Sequence, residues 1–257
     1  MAEPLILYDF HGSPCARRVR IVMLEKELEW ETRLVDLTRM EQKRPEYLAL
    51  NPNGLVPTLI HGERVIYESN VITEYLDAVF PEPRLYPSEP WDCARAKMWQ
   101  AFELAMAKEY RPLMYLRVIG PLDRRRPKED VMNDVRRSTD DPAHIDWVSR
   151  VYDGTVLSED EAALLAGQLY KRIDHIEYAL EGDFLLGNQF SIADISVYPR
   201  VAMYPMVGLP IDPAKYPRTT RWMSAIANRP PSSEASVSVP ADRHLRSQTE
   251  IVMPFSS

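Results

Sequence analysis

The chain has 257 residues, 45% of them apolar and 27% charged, which is ordinary for a globular protein with a buried core. Its net charge of −7 argues against a dedicated nucleic-acid binder, which needs a basic surface to contact phosphates. No segment has the length of a membrane span or the features of a signal peptide, and the two cysteines, Cys15 and Cys93, lie far apart. These features predict a cytoplasmic protein without nucleic-acid or membrane partners.

The first eighty residues alternate short strands with helices. An apolar run at 5–8 and a second run at 30–35 predict two strands of a βαβ unit, with a helix beginning at Pro14 between them. Two more runs, 58–60 and 65–67, predict a hairpin. The helix that follows is predicted to carry one apolar stripe, formed by Val71, Ile72, Tyr75, Leu76 and Val79.

Prolines between residues 81 and 90 interrupt this pattern and indicate a linker. Beyond them, apolar residues recur at spacings of three and four, which predicts long helices from 91 to about 118 and around 165–180. Ser191 and Asp194 form a predicted capping box at the start of a buried helix, and another helix is predicted over 219–228.

The fold predicted from these patterns has two domains. Residues 1–84 form an α/β domain with a mixed four-stranded sheet and flanking helices, and residues 85–90 form the linker. Residues 91–231 form an all-α helical bundle with an insertion around 120–161, and residues 232–257 form a tail that is expected to be extended or partly disordered. The sequence contains no phosphate-binding loop, dinucleotide motif or zinc spacing, so no metal is predicted.

Ser13 and Pro14 stand where the first strand gives way to a helix. A helix N-terminus has unpaired N–H groups and a partial positive charge of about half an elementary charge, so it stabilises an anion placed there. Together with a hydroxyl donor, such a site shifts a bound thiol towards its thiolate form. Ser before Pro is also a common helix cap, so a purely structural role for Ser13 is the alternative.

Two further features allow both a functional and a structural interpretation. A cis Val56–Pro57 bond would let the main chain of Val56 pair with an extended peptide, whereas an ordinary trans proline opening a strand is the alternative. Glu68 and Ser69 precede a helix, where Ser69 suits a carboxylate and Glu68 an ammonium group. The alternative for this pair is a helix cap with an acid beside it.

The order and spacing of these features are more specific than any one of them. They resemble the N-terminal half of cytosolic glutathione transferases, most closely the serine-type classes, and residues 190–195 resemble that family's capping-box motif. The resemblance implies a thioredoxin-like first domain and an all-helical second domain. The segments that carry it are Ser13-Pro14-Cys15-x-x-Arg18, Asn51-Pro52-Asn53-Gly54-Leu55-Val56-Pro57 and Tyr67-Glu68-Ser69.

The resemblance also implies a role for each residue of the site. Ser13 is the expected catalytic residue, whose hydroxyl hydrogen-bonds the sulfur of glutathione. The main chain of one further residue, beside the cis-proline, is expected to pair with the cysteinyl unit, while an acid and a serine hold the γ-glutamyl group. A loop residue is expected to reach the glycine carboxylate, with Lys43 as a competitor. The glutathione-binding residues implied in this way are Gln42, Val56, Pro57, Glu68 and Ser69.

Contacts to the second substrate are expected from the loops of the first domain and from the first long helix of the second. The insertion around 120–161, which includes Trp147, resembles the bacterial glutathione-dependent β-aryl etherases that cleave lignin-type ethers. The segments 40–42 and 74–82 contribute to the same resemblance. Packing residues would show the same pattern as substrate contacts. The acceptor-site candidates are His11, Tyr110, Met114 and Tyr115.

The sequence therefore predicts a glutathione transferase with glutathione as co-substrate, no metal, and an apolar, aromatic electrophile as its second substrate. Cleavage of β-aryl ethers is one candidate reaction. The resemblance further implies a homodimer and a role in detoxification. Two alternatives remain open: a non-catalytic glutathione-transferase-like interaction module, and a thiol-exchange enzyme based on Cys15.

Overall fold

A computed structural model describes residues 3–236, which divide into two compact units. One unit contains the chain up to Arg84 together with the short helix Pro230–Glu234, and the other spans Leu85–Arg229. This division differs from the predicted boundaries, because the helix Pro230–Glu234 packs against the first helix of the chain and the predicted tail is helical at its start. Residues 237–257 of the predicted tail lie outside the described residues.

The first unit is built on a four-stranded sheet in the order β2-β1-β3-β4. β1 and β2 are parallel, as expected for a βαβ unit, and β3 is antiparallel to both β1 and β4. The predicted mixed sheet and its hairpin are therefore confirmed. The strands are β1 (Leu5–Asp9), β2 (Glu31–Leu34), β3 (Thr58–His61) and β4 (Arg64–Tyr67), and the helices are α1 (Pro14–Glu25), α2 (Pro45–Leu50) and α3 (Ser69–Val79).

The buried face of α3 differs from the predicted stripe. Val71 and Val79 are 54% and 41% exposed, whereas Ile72 and Leu76 are fully buried. Polar residues complete the buried face, and one of them, Asp77, forms an ion pair of 2.7 Å with Lys26 of α1. A buried charge is tolerated when it is paired, so polarity alone does not place a residue on the exposed side of a helix.

The second unit is helical throughout its regular structure. The predicted helix from 91 to about 118 is α4 followed by a π-helical turn, Tyr115–Ile119, which extends it by one distorted turn. The predicted helix around 165–180 is α8, whose Leu169, Ile173 and Ile176 are fully buried. The helices are α4 (Pro90–Met114), α5 (Gly120–Asp123), α6 (Lys128–Ser138), α7 (Pro142–Asp153), α8 (Glu159–Ala179), α9 (Ile192–Val201) and α10 (Pro217–Ala227); the helix that returns to the first unit is α11 (Pro230–Glu234).

The insertion around 120–161 folds into α5, α6, α7 and the start of α8. Two of its basic residues link its helices to one another. Arg124 donates a hydrogen bond of 2.6 Å to the carbonyl oxygen of Tyr152, and Lys128 pairs with Asp153 at 2.6 Å. The carboxylates and carbonyls that accept these bonds lie about 25 residues further along the chain, beyond the reach of a local pattern.

Candidate functional site

The strand register brings three of the predicted segments to one edge of the sheet in the first unit. Thr58, the first residue of β3, pairs with Tyr8 near the end of β1 and with Tyr67 at the end of β4. The chain therefore leaves β1 towards Ser13, enters β3 from the segment before Thr58, and leaves β4 towards Glu68 at the same edge. Ser13 and Glu68, 55 positions apart in sequence (68 − 13), therefore follow strands that end at the same edge of the sheet.

Ser13 caps the N-terminus of α1. Its backbone is extended, with φ −85° and ψ 119°, and its Oγ accepts a hydrogen bond of 3.3 Å from the amide of Ala16. The Ser13 amide donates to the carbonyl oxygen of Phe10 at 2.8 Å, which fixes the turn between β1 and α1. A hydroxyl has one hydrogen to donate, and in this cap Oγ acts only as an acceptor, so that hydrogen remains available to a further acceptor.

The turn before β3 is held by buried side chains. The hydroxyl of Tyr47 and Nδ2 of Asn51 each donate to the carbonyl oxygen of Leu55 at 2.8 Å, and both also contact Oγ1 of Thr58. Burial raises the pKa of Tyr47, so its hydroxyl stays protonated as a donor. The Val56–Pro57 bond that follows is cis, as the resemblance implies.

The start of α3 is only partly capped. Glu68 at the N-cap position has a positive φ of 68°, which is unusual for a residue other than glycine, and makes no side-chain cap hydrogen bond. Its Oε1 accepts a bond of 2.7 Å from Nδ2 of Asn53 instead. Ser69 is buried, and its Oγ accepts a hydrogen bond of 3.1 Å from Nη1 of Arg18. An exposed carboxylate and a buried hydroxyl therefore stand side by side at a helix N-terminus.

Gln42 and Lys43 lie beside the same turn, in a 3₁₀ segment, Glu41–Lys43. A Cβ atom at Gly54 would come within 2.8 Å of Lys43 Nζ and 2.9 Å of the Gln42 carbonyl oxygen, so the positive φ of 56° and the lack of a side chain at Gly54 permit this approach. Lys43 Nζ donates to the Asn53 carbonyl oxygen at 3.4 Å, and burial lowers the pKa of Lys43. Within residues 3–236, Oε1 of Gln42 is buried without a hydrogen-bond partner.

His11 lies in the turn that leads from β1 to Ser13. Both of its ring nitrogens are buried and have no hydrogen-bond partner within the described residues. Burial lowers the pKa of His11 and nearby Arg20 lowers it further, against an opposing effect of Asp9, so the imidazole is neutral at neutral pH. Arg20 binds both carboxylate oxygens of Asp9, at 2.6 and 2.7 Å, and the carbonyl oxygen of Ala235 at 3.1 Å.

The acceptor-site candidates of the second unit have different environments. Tyr110 is buried, donates to the carbonyl oxygen of Met203 at 3.0 Å and stacks on Tyr204 at 5.9 Å between ring centroids. These contacts are those of a packing residue, the alternative that the sequence leaves open. Met114 ends α4 and is half-buried. Tyr115 opens the π-helical turn and is also half-buried.

Tyr115 belongs to an aromatic cluster that the insertion completes. Its ring packs edge-on against Trp147 of α7, with centroids 4.4 Å apart, and Trp147 stacks on His144 at 5.7 Å. Burial raises the pKa of Tyr115, which keeps its hydroxyl protonated.

Residues 3–236 contain no group of three or more His, Cys, Asp or Glu side chains suited to a metal ion. None of the helices in these residues has the length and hydropathy of a membrane span.

Two family models match the chain. The model described as glutathione S-transferase, N-terminal domain, matches residues 12–79, which include Ser13, the Val56–Pro57 segment and Glu68. The model described as glutathione S-transferase, C-terminal domain, matches residues 142–230. The chain belongs to the glutathione S-transferase superfamily. The prediction of an enzyme family with a thioredoxin-like first domain and a helical second domain is confirmed.

Individual members of the superfamily are similar along most or part of the chain. A probable maleylacetoacetate isomerase from Vibrio cholerae is 29% identical over 234 residues, covering 90% of this chain and 95% of that protein. Glutathione S-transferase 1 from Dianthus caryophyllus is 40% identical over 121 residues, covering 47% and 53%. The crystal structure of the β-etherase LigF from Sphingobium sp. strain SYK-6 matches with a TM-score of 0.80 at 24% identity, covering 90% of this chain and 98% of that one, which shows a common fold.

Several site residues of this transferase were not predicted from the sequence. One of them is Asn53, which donates a hydrogen bond to Glu68. The turn before β3 is held by Tyr47 and Asn51, and Ser69 accepts a hydrogen bond from Arg18. Arg18 and Asn53 fall inside the segments that carry the family resemblance, but their partners are 51 and 15 residues away in sequence. Cys15 is half-buried in the first turn of α1.

Proposed function

We propose that this transferase activates the thiol of glutathione with Ser13 and transfers the thiolate to an apolar, aromatic electrophile. The observation that carries the proposal is the convergence of Ser13, Val56–Pro57 and Glu68–Ser69 at one sheet edge. Glutathione is an extended peptide with a thiol in its middle and a zwitterion at one end. It needs a hydroxyl donor, a main-chain partner and a pair of opposite polar groups, and these three segments supply them.

Thiolate formation depends on two features of the start of α1. Because Ser13 Oγ accepts from the Ala16 amide, its hydrogen is free to be donated to the sulfur. The helix dipole adds a partial positive charge at the same place. A free thiol has a pKa of about 8.5, and both effects favour its ionised form, so Ser13 acts as a hydrogen-bond donor to the thiolate and not as a nucleophile.

The rest of the peptide extends along the sheet edge. The main chain of Val56, beside Pro57, pairs with the cysteinyl unit in the manner of an added strand. The exposed carboxylate of Glu68 takes the ammonium group of the γ-glutamyl unit, and Ser69 takes its carboxylate. The fixed positions of Glu68, through Asn53, and of the turn before Pro57, through its buried hydrogen bonds, support this placement.

Gln42 is the proposed donor to the glycine carboxylate, with Lys43 as the competing residue. Both approach the Asn53–Gly54 turn, which links them to the γ-glutamyl side of the site. Separate Gln42→Ala and Lys43→Ala variants distinguish the two. The affinity for S-methylglutathione is expected to fall several-fold in Gln42→Ala, which removes the proposed hydrogen bond to the glycine carboxylate, and little in Lys43→Ala, which removes no contact with it.

The second substrate is proposed to be an aromatic electrophile, for which His11, Met114 and Tyr115 are the candidate contact residues. The neutral imidazole and the aromatic cluster around Tyr115 suit such a substrate. With a β-aryl ether, the thiolate would form a C–S bond, the C–O bond would break, and the phenolate would leave with the electron pair and take a proton from water. Both reactants held side by side gain rate from orientation.

A Ser13→Ala and a Cys15→Ala variant test the assignment of the thiol site. Ultraviolet absorbance of bound glutathione thiolate against pH should show its pKa raised by about one to two units in Ser13→Ala, the value of one hydrogen bond to a charged group, and unchanged in Cys15→Ala. Ser13→Thr, which keeps a hydroxyl, is expected to restore most of the shift. Loss of activity in Cys15→Ala alone would support the thiol-exchange enzyme instead.

Two further measurements address the remaining parts of the proposal. Failure of the wild-type chain to bind immobilised glutathione would support the non-catalytic interaction module. A screen of aryl ethers, halogenated aromatics and maleyl compounds with glutathione identifies the acceptor, and turnover of maleyl compounds alone would overturn the aromatic assignment.

We also propose a cytoplasmic homodimer, for which light scattering should give about twice the mass of 29.7 kDa.

A further inference from the structure

Arg18 is a buried arginine whose side chain ends at the start of α3. It lies on α1, is 1% exposed, and its Nη1 donates to Oγ of Ser69 at 3.1 Å. The same Nη1 also contacts Oδ1 of Asn70, the next residue. The buried guanidinium therefore contacts the first turn of α3.

This contact fixes what the Ser69 hydroxyl can do. A hydroxyl oxygen that accepts from a guanidinium directs its own hydrogen to another acceptor. Within the described residues, the hydroxyl of Ser69 has no second hydrogen-bond partner. The contact with Arg18 therefore leaves the Ser69 hydroxyl able to donate a hydrogen bond to a ligand. The positive charge of Arg18 makes a hydrogen bond from this hydroxyl stronger.

The charge of Arg18 adds to the anion preference of the helix start. The dipole of α3 already favours a negative group there, and burial reduces the screening of the guanidinium by water. Glu68, one residue earlier, offers a negative charge on the exposed side. A ligand that carries a carboxylate and an ammonium on neighbouring atoms matches both.

We propose that Arg18 is a positioning residue for glutathione, which acts through Ser69 to select the α-carboxylate of the γ-glutamyl unit. This inference rests on the proposed function, since it assigns a residue to the same site. Arg18 does not touch the substrate. It orients the hydroxyl that does, and its charge makes a carboxylate preferable to a neutral group at that position.

A purely structural role for Arg18 predicts a different result. If the guanidinium only joined α1 to α3, its loss would loosen the site and lower the affinity for every ligand to the same extent. If it acts through Ser69, its loss lowers the affinity only for ligands that carry the α-carboxylate. The ligand's own functional groups therefore separate the two roles, whatever happens to the stability of the variant.

The experiment is calorimetric titration of the full chain with two S-methyl peptides. S-Methylglutathione carries the α-carboxylate, and its analogue with a 4-aminobutyryl group in place of the γ-glutamyl unit lacks only that carboxylate. The variant is Arg18→Gln, and the matched control is Arg20→Gln, which removes a second buried arginine of α1 whose partners are Asp9, His11 and Ala235. Arg18→Lys, which keeps the charge, serves in place of Arg18→Gln where that variant does not fold.

We expect Arg18→Gln to lower the affinity for S-methylglutathione about tenfold, because one charge-assisted hydrogen bond is lost. The affinity for the 4-aminobutyryl analogue should be unchanged. Arg18→Lys should show a smaller loss, again for S-methylglutathione alone, and any loss in Arg20→Gln should be equal for the two ligands. An equal loss for both ligands in the Arg18 variants would overturn the proposal. Failure of the wild-type chain to bind S-methylglutathione at all would instead overturn the proposed function.

Discussion

The starts of α9 and α3 show two uses of a helix N-terminus in one chain. At α9, Asp194 is fully buried and accepts from the amides of Leu185 and Ser191 and from Nε1 of Trp222, at 2.9–3.0 Å. At α3, Glu68 caps nothing with its side chain and holds a positive φ of 68°. The first start is capped within the protein, whereas the side chain of Glu68 takes no part in capping the second, where we propose that glutathione binds. A helix N-terminus can thus be satisfied by the protein itself or be available to an anion.

The largest effect is expected from removing the carboxylate at the start of α9. Asp194→Ala leaves three buried N–H donors without an acceptor, at about 1–3 kcal/mol each, so the free energy of unfolding should fall by at least about 3 kcal/mol. Denaturant titration measures the loss. Glutathione affinity of the remaining folded protein should be unchanged, because the cap belongs to the second unit.

The control for this change is the capping box of α8, formed by Ser158 and Glu161 on the surface. Glu161→Ala removes the same type of acceptor where water can replace it, so its effect should be far smaller. Comparable losses in Asp194→Ala and Glu161→Ala would contradict the view that burial makes the α9 cap important.

What could be predicted from the sequence was local. The capping box of α9, the hairpin of β3 and β4, and Ser13 before Pro14 each occupy a few consecutive residues whose chemistry is sufficient to indicate the structure. The family resemblance added the cis Val56–Pro57 bond. These features gave the fold of both units and the outline of the candidate site.

Long-range pairs could not be predicted in the same way. Arg18 meets Ser69 across 51 residues, and Trp222 reaches Asp194 across 28. Lys26 pairs with Asp77 on the buried face of α3, whereas Val71 is exposed. A charged residue in a helical pattern is predicted to be exposed. Only the folded structure shows that a residue such as Asp77 has a buried partner of opposite charge.

The pH dependence of stability gives the next largest effect. Burial raises the pKa of Asp194 to about 6, against the opposing effect of its hydrogen bonds. A carboxyl whose pKa is raised on folding stabilises the protein fully below its ordinary pKa and loses that contribution as pH rises towards 6. A shift of about two units corresponds to about 3 kcal/mol.

This contribution is measured by comparison with Asp194→Asn, which does not titrate. Between about pH 4 and pH 6.5, the free energy of unfolding of the wild-type protein should fall relative to that of the variant. Parallel pH profiles for the two proteins would mean that hydrogen bonds, and not burial, dominate the ionisation of Asp194.

A smaller effect on binding is expected at the start of α3. Glu68→Gln removes the charge that we assign to the ammonium group of glutathione, and keeps an oxygen for Asn53. Affinity for S-methylglutathione should fall about tenfold, with no change in the denaturation midpoint. Glu63→Gln, in the exposed turn between β3 and β4, is the matched control and should bind normally. Equal affinities in both variants would remove Glu68 from the site.

The smallest effect, and the most direct test of the contrast between the two helix starts, is expected from Glu68→Gly. A positive φ strains a residue with a side chain, and glycine relieves it, so the free energy of unfolding should rise by about 1 kcal/mol while glutathione affinity falls. Glu27, with a φ of 51° just after α1, provides the matched change. Glu27→Gly should gain similar stability without losing affinity. If both variants gain stability and only Glu68→Gly loses glutathione affinity, the strained backbone at α3 is retained because the carboxylate is needed for binding. A loss of stability in Glu68→Gly would show instead that the Glu68 side chain stabilises the fold.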